Sequence, residues 1–158
     1  MISLRRFLVV LVLSAACSNS FEPAASEPTP ADVLTAPFQL TFGGTTVALS
    51  ASAWRDMMPG NGLDRRLVVI LTLSTSSKAP WPTSRTTGRA WIIHGAESWV
   101  TTPVQEEQTT LPTGFSVTAR GGPLWPVGDS MDVVLELKDA QGGIQRLRAP
   151  RQVIGGPV

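Results

Sequence analysis

Between residues 38 and 51 the apolar side chains fall on every second position. Phe38, Leu40 and Phe42 alternate with Gln39 and Thr41, Gly43-Gly44 turns the chain, and Val47, Leu49 and Ala51 resume the same period. A period of two lines one face of an extended chain, so this stretch predicts two half-buried strands. Residues 67–74 (LVVILTLS) are nearly continuous and β-branched, the pattern of a strand at the centre of a packed core. Residues 89–94 (RAWIIH), 98–102 (SWVTT) and 114–119 (GFSVTA) follow, each bounded by Gly, Pro or Ser.

Residues 131–138 (MDVVLELK) alternate most clearly: Met131, Val133, Leu135 and Leu137 share one face, and Asp132, Glu136 and Lys138 the other. The glycines of 139–143 (DAQGG) can supply positive φ, and residues 144–149 (IQRLRA) return. Setting Lys138 opposite Ile144 puts Leu135 against Leu147 and Glu136 against Arg146. Apolar meets apolar and acid meets base in that register. No segment carries a convincing helical period, and residues 52–58 make one turn at most. The expected fold is all-β: an antiparallel sandwich of about 7–9 strands over residues 37–158.

The chain begins differently. Residues 1–6 (MISLRR) are basic, 7–13 (FLVVLVL) are unbroken apolar, and Ser14, Ala15 and Ala16 are small. This is the layout of a secretory signal peptide, and the apolar run falls short of the roughly 20 residues a spanning helix needs. Cys17, the one cysteine in the chain, follows at once. Residues 13–17 (LSAAC) resemble the lipobox of bacterial lipoproteins. The resemblance implies a signal peptide over 1–16, cut before Cys17, and a lipid on the Cys17 sulfur. Lipidation also disposes of an unpaired thiol exported to an oxidising compartment. Ser18 resembles the sorting position of lipoproteins sent to the outer membrane, so the expected place is the bacterial cell envelope, facing the periplasm or the cell surface.

Residues 18–36 (SNSFEPAASEPTPADVLTA) contain Pro23, Pro28 and Pro30 and few apolar side chains, which predicts a disordered tether over 17–36. Fully polyproline-like, its 19 residues would reach roughly 60 Å. The strand 67–74, followed by Trp91 on the next strand, resembles strands B and C of an immunoglobulin-like domain. The closing hairpin (VVLELKDAQGGIQRLRAP) is similar to the last hairpin of uncharacterised envelope lipoproteins.

Charge and composition narrow the chemistry. Loss of Arg5 and Arg6 with the signal takes 13 basic side chains to 11, against 12 acidic ones. No basic excess remains to neutralise phosphates, so no nucleic acid partner is expected. One cysteine excludes a disulfide framework or a cysteine-based zinc site.

His94, the single histidine, lies three residues before Glu97, a pair suited to acid–base work or metal binding. The competing account is a strand-end histidine satisfied locally. Met57-Met58 could add thioether sulfur for copper, but no second histidine exists. Residues 128–132 (GDSMD) fall short of a nucleophile elbow, residues 75–78 (TSSK) lack the first serine of an S-x-x-K motif, and residues 60–62 (GNG) lack the third glycine of a dinucleotide fingerprint. Asp129, Asp132 and Asp139 are loop candidates for calcium, with ordinary turns and a solvated face as the plainer account. Arg120, Arg146, Arg148 and Arg151 make a small basic stripe on a solvated sheet face, partly offset by Glu136. No enzyme, cofactor or metal is expected.

The five tryptophans carry what remains. Trp91 is expected in the core, and Trp54 and Trp99 near strand ends. Trp81 (PWP) and Trp125 (LWP) sit beside prolines, where a rigid aromatic face can stack on a sugar or anchor a protein; equally, they can fold back and plug the ends of the sandwich. The expected function is therefore a lipid-anchored envelope binding or assembly module without catalytic activity. Its partners are the membrane, through Cys17, and an envelope protein or glycan, met by strand addition or by Trp81 and Trp125. The alternatives are a carbohydrate or peptidoglycan binder, an envelope protease inhibitor with residues 109–114 (TTLPTG) as its loop, and a metal protein.

Overall fold

The computed structural model describes residues 27–55, 66–76, 79–81, 84–106, 110–111 and 113–156. The signal segment, Cys17, Met57-Met58 and residues 60–62 lie outside the described residues.

Among the described residues, a short helix α1 (Pro30–Val33) precedes nine strands: β1 (Gln39–Phe42), β2 (Thr45–Arg55), β3 (Leu67–Thr75), β4 (Thr86–His94), β5 (Glu97–Thr101), β6 (Thr110–Leu111), β7 (Gly114–Gly122), β8 (Ser130–Lys138) and β9 (Ile144–Gly155). The protein is all-β. All eight runs read from the alternation are strands; β6, two residues long, is the addition. The strands follow the order β5-β4-β8-β9-β2-β3-β7-β6, with β1 also on β2, in one curled sheet. The closing hairpin has the expected register, Lys138 opposite Ile144, Leu135 opposite Leu147 and Glu136 opposite Arg146.

Two long strands do the curling. β9 pairs antiparallel with β8 from Ile144 to Val153, and its last two residues pair parallel with β2, Ala53 opposite Ile154 and Trp54 opposite Gly155. At the register shift within the β8–β9 ladder, between Ala149 and Gln152, stands Arg151, at φ 50° the one positive-φ residue other than glycine among those described. Such a bulge interrupts the ladder, which resumes at Gln152, and bends the strand shortly before it reaches β2. The curl brings the inward residues of β2, β3 and β7 against those of β4, β8 and β9. Leu49, Leu71, Val117, Ile92, Leu135 and Leu147 belong to one contiguous core. β3 lies between β2 and β7 and is almost wholly buried, as its unbroken apolar run demands.

A second, smaller cluster sits on the other face of β4 and β8. Trp91, Ile93 and Val134 point away from the main core and are covered by Val33 of α1, with Leu34 and Ala36 beside it. Trp91 is buried as expected, yet under the helix rather than in the main core. The face carrying Asp132 and Glu136 is likewise less solvated than its composition predicts. Glu136 is 1% exposed. Its carboxylate accepts from Arg146 Nη2 at 3.0 Å and from the Arg89 backbone N–H at 3.3 Å, with Arg89 Nε 3.6 Å away. Asp132 pairs with Arg148 at 3.0 Å.

This cluster takes in the last part of the expected tether, whose residues 17–26 lie outside the described residues. From Pro30 to Ala36 the chain is folded onto the sheet. Thr29 and Asp32 form a reciprocal capping box, the Val33 side chain is fully buried, and Arg148 Nη1 donates to the Leu34 carbonyl at 2.6 Å. One valine in the right register, with a capped turn to present it, suffices where composition argued for disorder.

Candidate functional site

Strand parity puts His94 on the inward side of β4, in line with Ala90 and Ile92, at the open end of the core. The two-residue turn at Gly95-Ala96, with Gly95 at φ 58°, folds β5 back so that Glu97 lies opposite His94. The sequence pair is thus brought together across a hairpin, but the two side chains turn to different partners. Both partners come from the loop between β7 and β8.

That loop lays Trp125 into the end of the core, 5% exposed. Its indole N–H donates to Glu97 Oε2 at 2.5 Å. The His94 ring lies against the indole, centroids 5.0 Å apart at 32°. His94 Nε2 is 2.9 Å from Asp129 Oδ2, in a half-buried pair. Two backbone bonds tie the same loop to β9, Gly128 N–H to the Ile154 carbonyl at 2.8 Å and Ile154 N–H to the Asp129 carbonyl at 2.9 Å. The four side chains therefore clasp one loop to the β4–β5 hairpin. Chemically, the arrangement is an imidazole–carboxylate pair next to an indole–carboxylate pair, partly open to water. The link from His94 to Asp129 spans 35 residues and leaves no local signal in the sequence.

The other candidates are placed apart. Trp81 is half-buried and meets Phe115 edge-on, centroids 4.7 Å apart, near the start of β7. Trp125 follows the far end of β7, so the two tryptophans do not form one aromatic platform. Trp125, folded inward with its N–H engaged, occupies the plugging position. Trp99 is half-buried and packs against Gly122, where an added Cβ would meet its ring at 2.5 Å. Asp139 caps its own hairpin turn, accepting from the N–H groups of Gln141 and Gly143 at 3.0 and 2.7 Å. Asp129, Asp132 and Asp139 thus face three different partners. Among the described residues, no group of three or more His, Cys, Asp and Glu side chains is arranged to hold a metal ion. The basic stripe divides as well: Arg146 and Arg148 are half-buried in ion pairs on one face, whereas Arg120 of β7 pairs with Glu106 of the loop after β5. Of the loop 109–114, the backbone of Thr110 and Leu111 pairs with β7.

The sheet also has a free end. β5 has β4 on one side and no strand on the other among the described residues. Its outward face carries Ser98 and Val100, the latter 43% exposed. No helix is long and apolar enough to cross a membrane among the described residues. Compared with protein-family models, with curated proteins and with solved structures, the chain matches none of them.

Proposed function

We propose that the protein is a lipid-anchored module of the bacterial cell envelope, attached through Cys17 to the outer membrane, that binds or assembles with an envelope partner without catalysis. The folded part is read as an immunoglobulin-like β-sandwich. That finer reading is supported by the single core shared between two strand layers and by β9, which crosses from β8 to a parallel pairing with β2.

The observation that carries the binding reading is the edge strand β5. Among the described residues it ends the strand order, and it has no charged side chain after Glu97 and no proline within Glu97–Thr101. Edge strands are normally blunted by lysine, proline, a bulge or a cover, because their free backbone groups template pairing with another chain. An edge left plain suits strand addition. The His94–Asp129 and Trp125–Glu97 bonds support the same reading, since they stiffen the hairpin that presents β5.

Crosslinking the full-length protein in its native host, followed by mass spectrometry of the captured species, tests this. A reproducible protein partner, lost in Cys17→Ala and in a Val100→Pro edge variant, is the expected result. Capture of peptidoglycan or glycan fragments alone would move the assignment to a sugar-binding module. Capture of a partner unaffected by Cys17→Ala would remove the lipid anchor from the account.

A further inference from the structure

Residues 27–37 lie along the outer face of β4, β8 and β9, and what holds them there is separate from the main core. Val33 packs on Trp91, Ile93 and Val134, a cluster that shares no residue with the core between the strand layers. The remaining ties are polar: Glu27 to Arg89 at 2.6 Å, the Leu34 carbonyl to Arg148 at 2.6 Å, and the Pro37 carbonyl to the Arg148 N–H at 2.9 Å. A four-residue helix has no stability of its own in water. Segments with few buried apolar contacts and solvent-facing hydrogen bonds open at lower free energy than the fold that carries them.

We infer that residues 27–36 are a releasable strap, which docks and detaches as a unit while the β-fold stays closed, and which covers an apolar face beside the β5 edge. Release uncovers Trp91, Ile93 and Val134. Trp91 then stands between the guanidinium groups of Arg89 and Arg146, 5.0 and 5.4 Å from its ring centroid. On β5 the residue opposite Trp91 is Val100, already exposed. A detached strap thus extends the outward face of β5 into a larger apolar surface bordered by Arg89, which loses its partner Glu27, suited to an added strand that carries apolar side chains and a carboxylate in place of Glu27.

The strap also meters reach, a consequence that rests on the lipid-anchor reading. Ten Cα steps separate Cys17 from Glu27 and twenty separate it from Pro37. Whatever its conformation, a chain cannot exceed about 3.6 Å per step, so the docked strap limits the span to at most about 36 Å and the released one to about 72 Å. Docking therefore holds the domain near its anchor with the Trp91 face closed. Detachment lengthens the reach and opens that face together.

Hydrogen exchange on the full-length, membrane-bound protein tests the strap. The amides of Val33, Leu34 and Ala36, bonded to Thr29, Pro30 and Val33 carbonyls, should exchange at least ~100-fold faster than those of β3 and β8. Val33→Asp should abolish their protection, leave β3 and β8 protected, and raise acrylamide quenching of tryptophan by an amount that vanishes when Trp91→Phe is added. Asp32→Ala, a milder change on the exposed side of the strap, should shift the strap amides in the same direction by a smaller factor. Strap amides as slow as β8, loss of β3 and β8 protection in both variants, or unchanged quenching would each overturn the strap. Fluorescence transfer from a dye on the β8–β9 hairpin to labelled lipid headgroups should fall in Val33→Asp. A strap that releases without any change in transfer keeps the strap and rejects the lipid anchor.

Discussion

The indole N–H of Trp125 donates to the Glu97 carboxylate at 2.5 Å, joining the loop before β8 to the first residue of the edge strand β5. Trp125 is nearly buried, so this acceptor is what compensates the loss of water from its N–H. Glu97→Ala removes it and should cost about 1–3 kcal/mol, the penalty for a buried donor without a partner. Glu97→Gln retains an acceptor oxygen and should cost less. Urea midpoints order the three proteins; an alanine variant as stable as the parent would show that the bond does not hold the loop.

Glu136 is neutralised by two arginines, and that redundancy has a measurable consequence. Arg89→Ala leaves Arg146 on the carboxylate, and Arg146→Ala leaves Arg89. Losing both strands a buried charge, a change that costs about 3–5 kcal/mol when a buried pair is broken. The double variant should therefore exceed the sum of the singles by roughly 0.5–3 kcal/mol. A double-mutant cycle by chemical denaturation reads the coupling, and strict additivity would mean that the two guanidinium groups act independently.

Gly122 lies where the Trp99 ring crosses β7, with the Leu67 Cβ 3.0 Å from the position a methyl group would take. Gly122→Ala should destabilise by about 1–3 kcal/mol, the usual cost of overpacking. If the ring is the obstacle, Trp99→Leu should recover part of that loss in the double variant. Thermal unfolding of the four proteins checks it, and a double variant worse than the sum would place the conflict with Leu67 instead.

Asp32 offers a pH handle on the strap. The Thr29 hydroxyl and backbone N–H hold its carboxyl below the ordinary value of 3.8. A depressed folded-state pKa gives stability that is present above the unfolded value and is lost as pH falls through the folded one. Strap protection should thus weaken on acidification below 3.8, while β3 and β8 keep theirs until the whole fold gives way. In Asp32→Asn this acid step should disappear from a hydrogen-exchange series; its persistence would trace it to another carboxylate.

The strands were legible because their signal is local. A period of two between Phe38 and Ala51, or along Met131–Leu137, needs no distant information, since one face must be apolar wherever the sheet is placed. The β8–β9 register was legible for the same reason: only one alignment sets Leu135 on Leu147 and Glu136 on Arg146. The two-residue β6 was not, because it pairs through backbone groups that every residue carries.

The site was legible in its parts and not in its pairing. His94, Glu97, Trp125 and Asp129 each stood out by residue type, and adjacency tied the first two together. The structure instead gives each of that pair a partner from a loop some thirty residues away, because the curl of the sheet brings that loop over the end of the core.

Sequence alone determined that the chain is all-β, where its main strands lie, and which side chains each strand turns to a common face. Tertiary structure decided what each face meets: Trp91 under α1 rather than in the main core, Glu136 buried between two arginines, and a proline-rich segment folded onto the sheet by Val33 and its bonds to Arg148. The physical reason is that periodicity sorts side chains between two faces, whereas burial depends on what long-range packing sets against each of them.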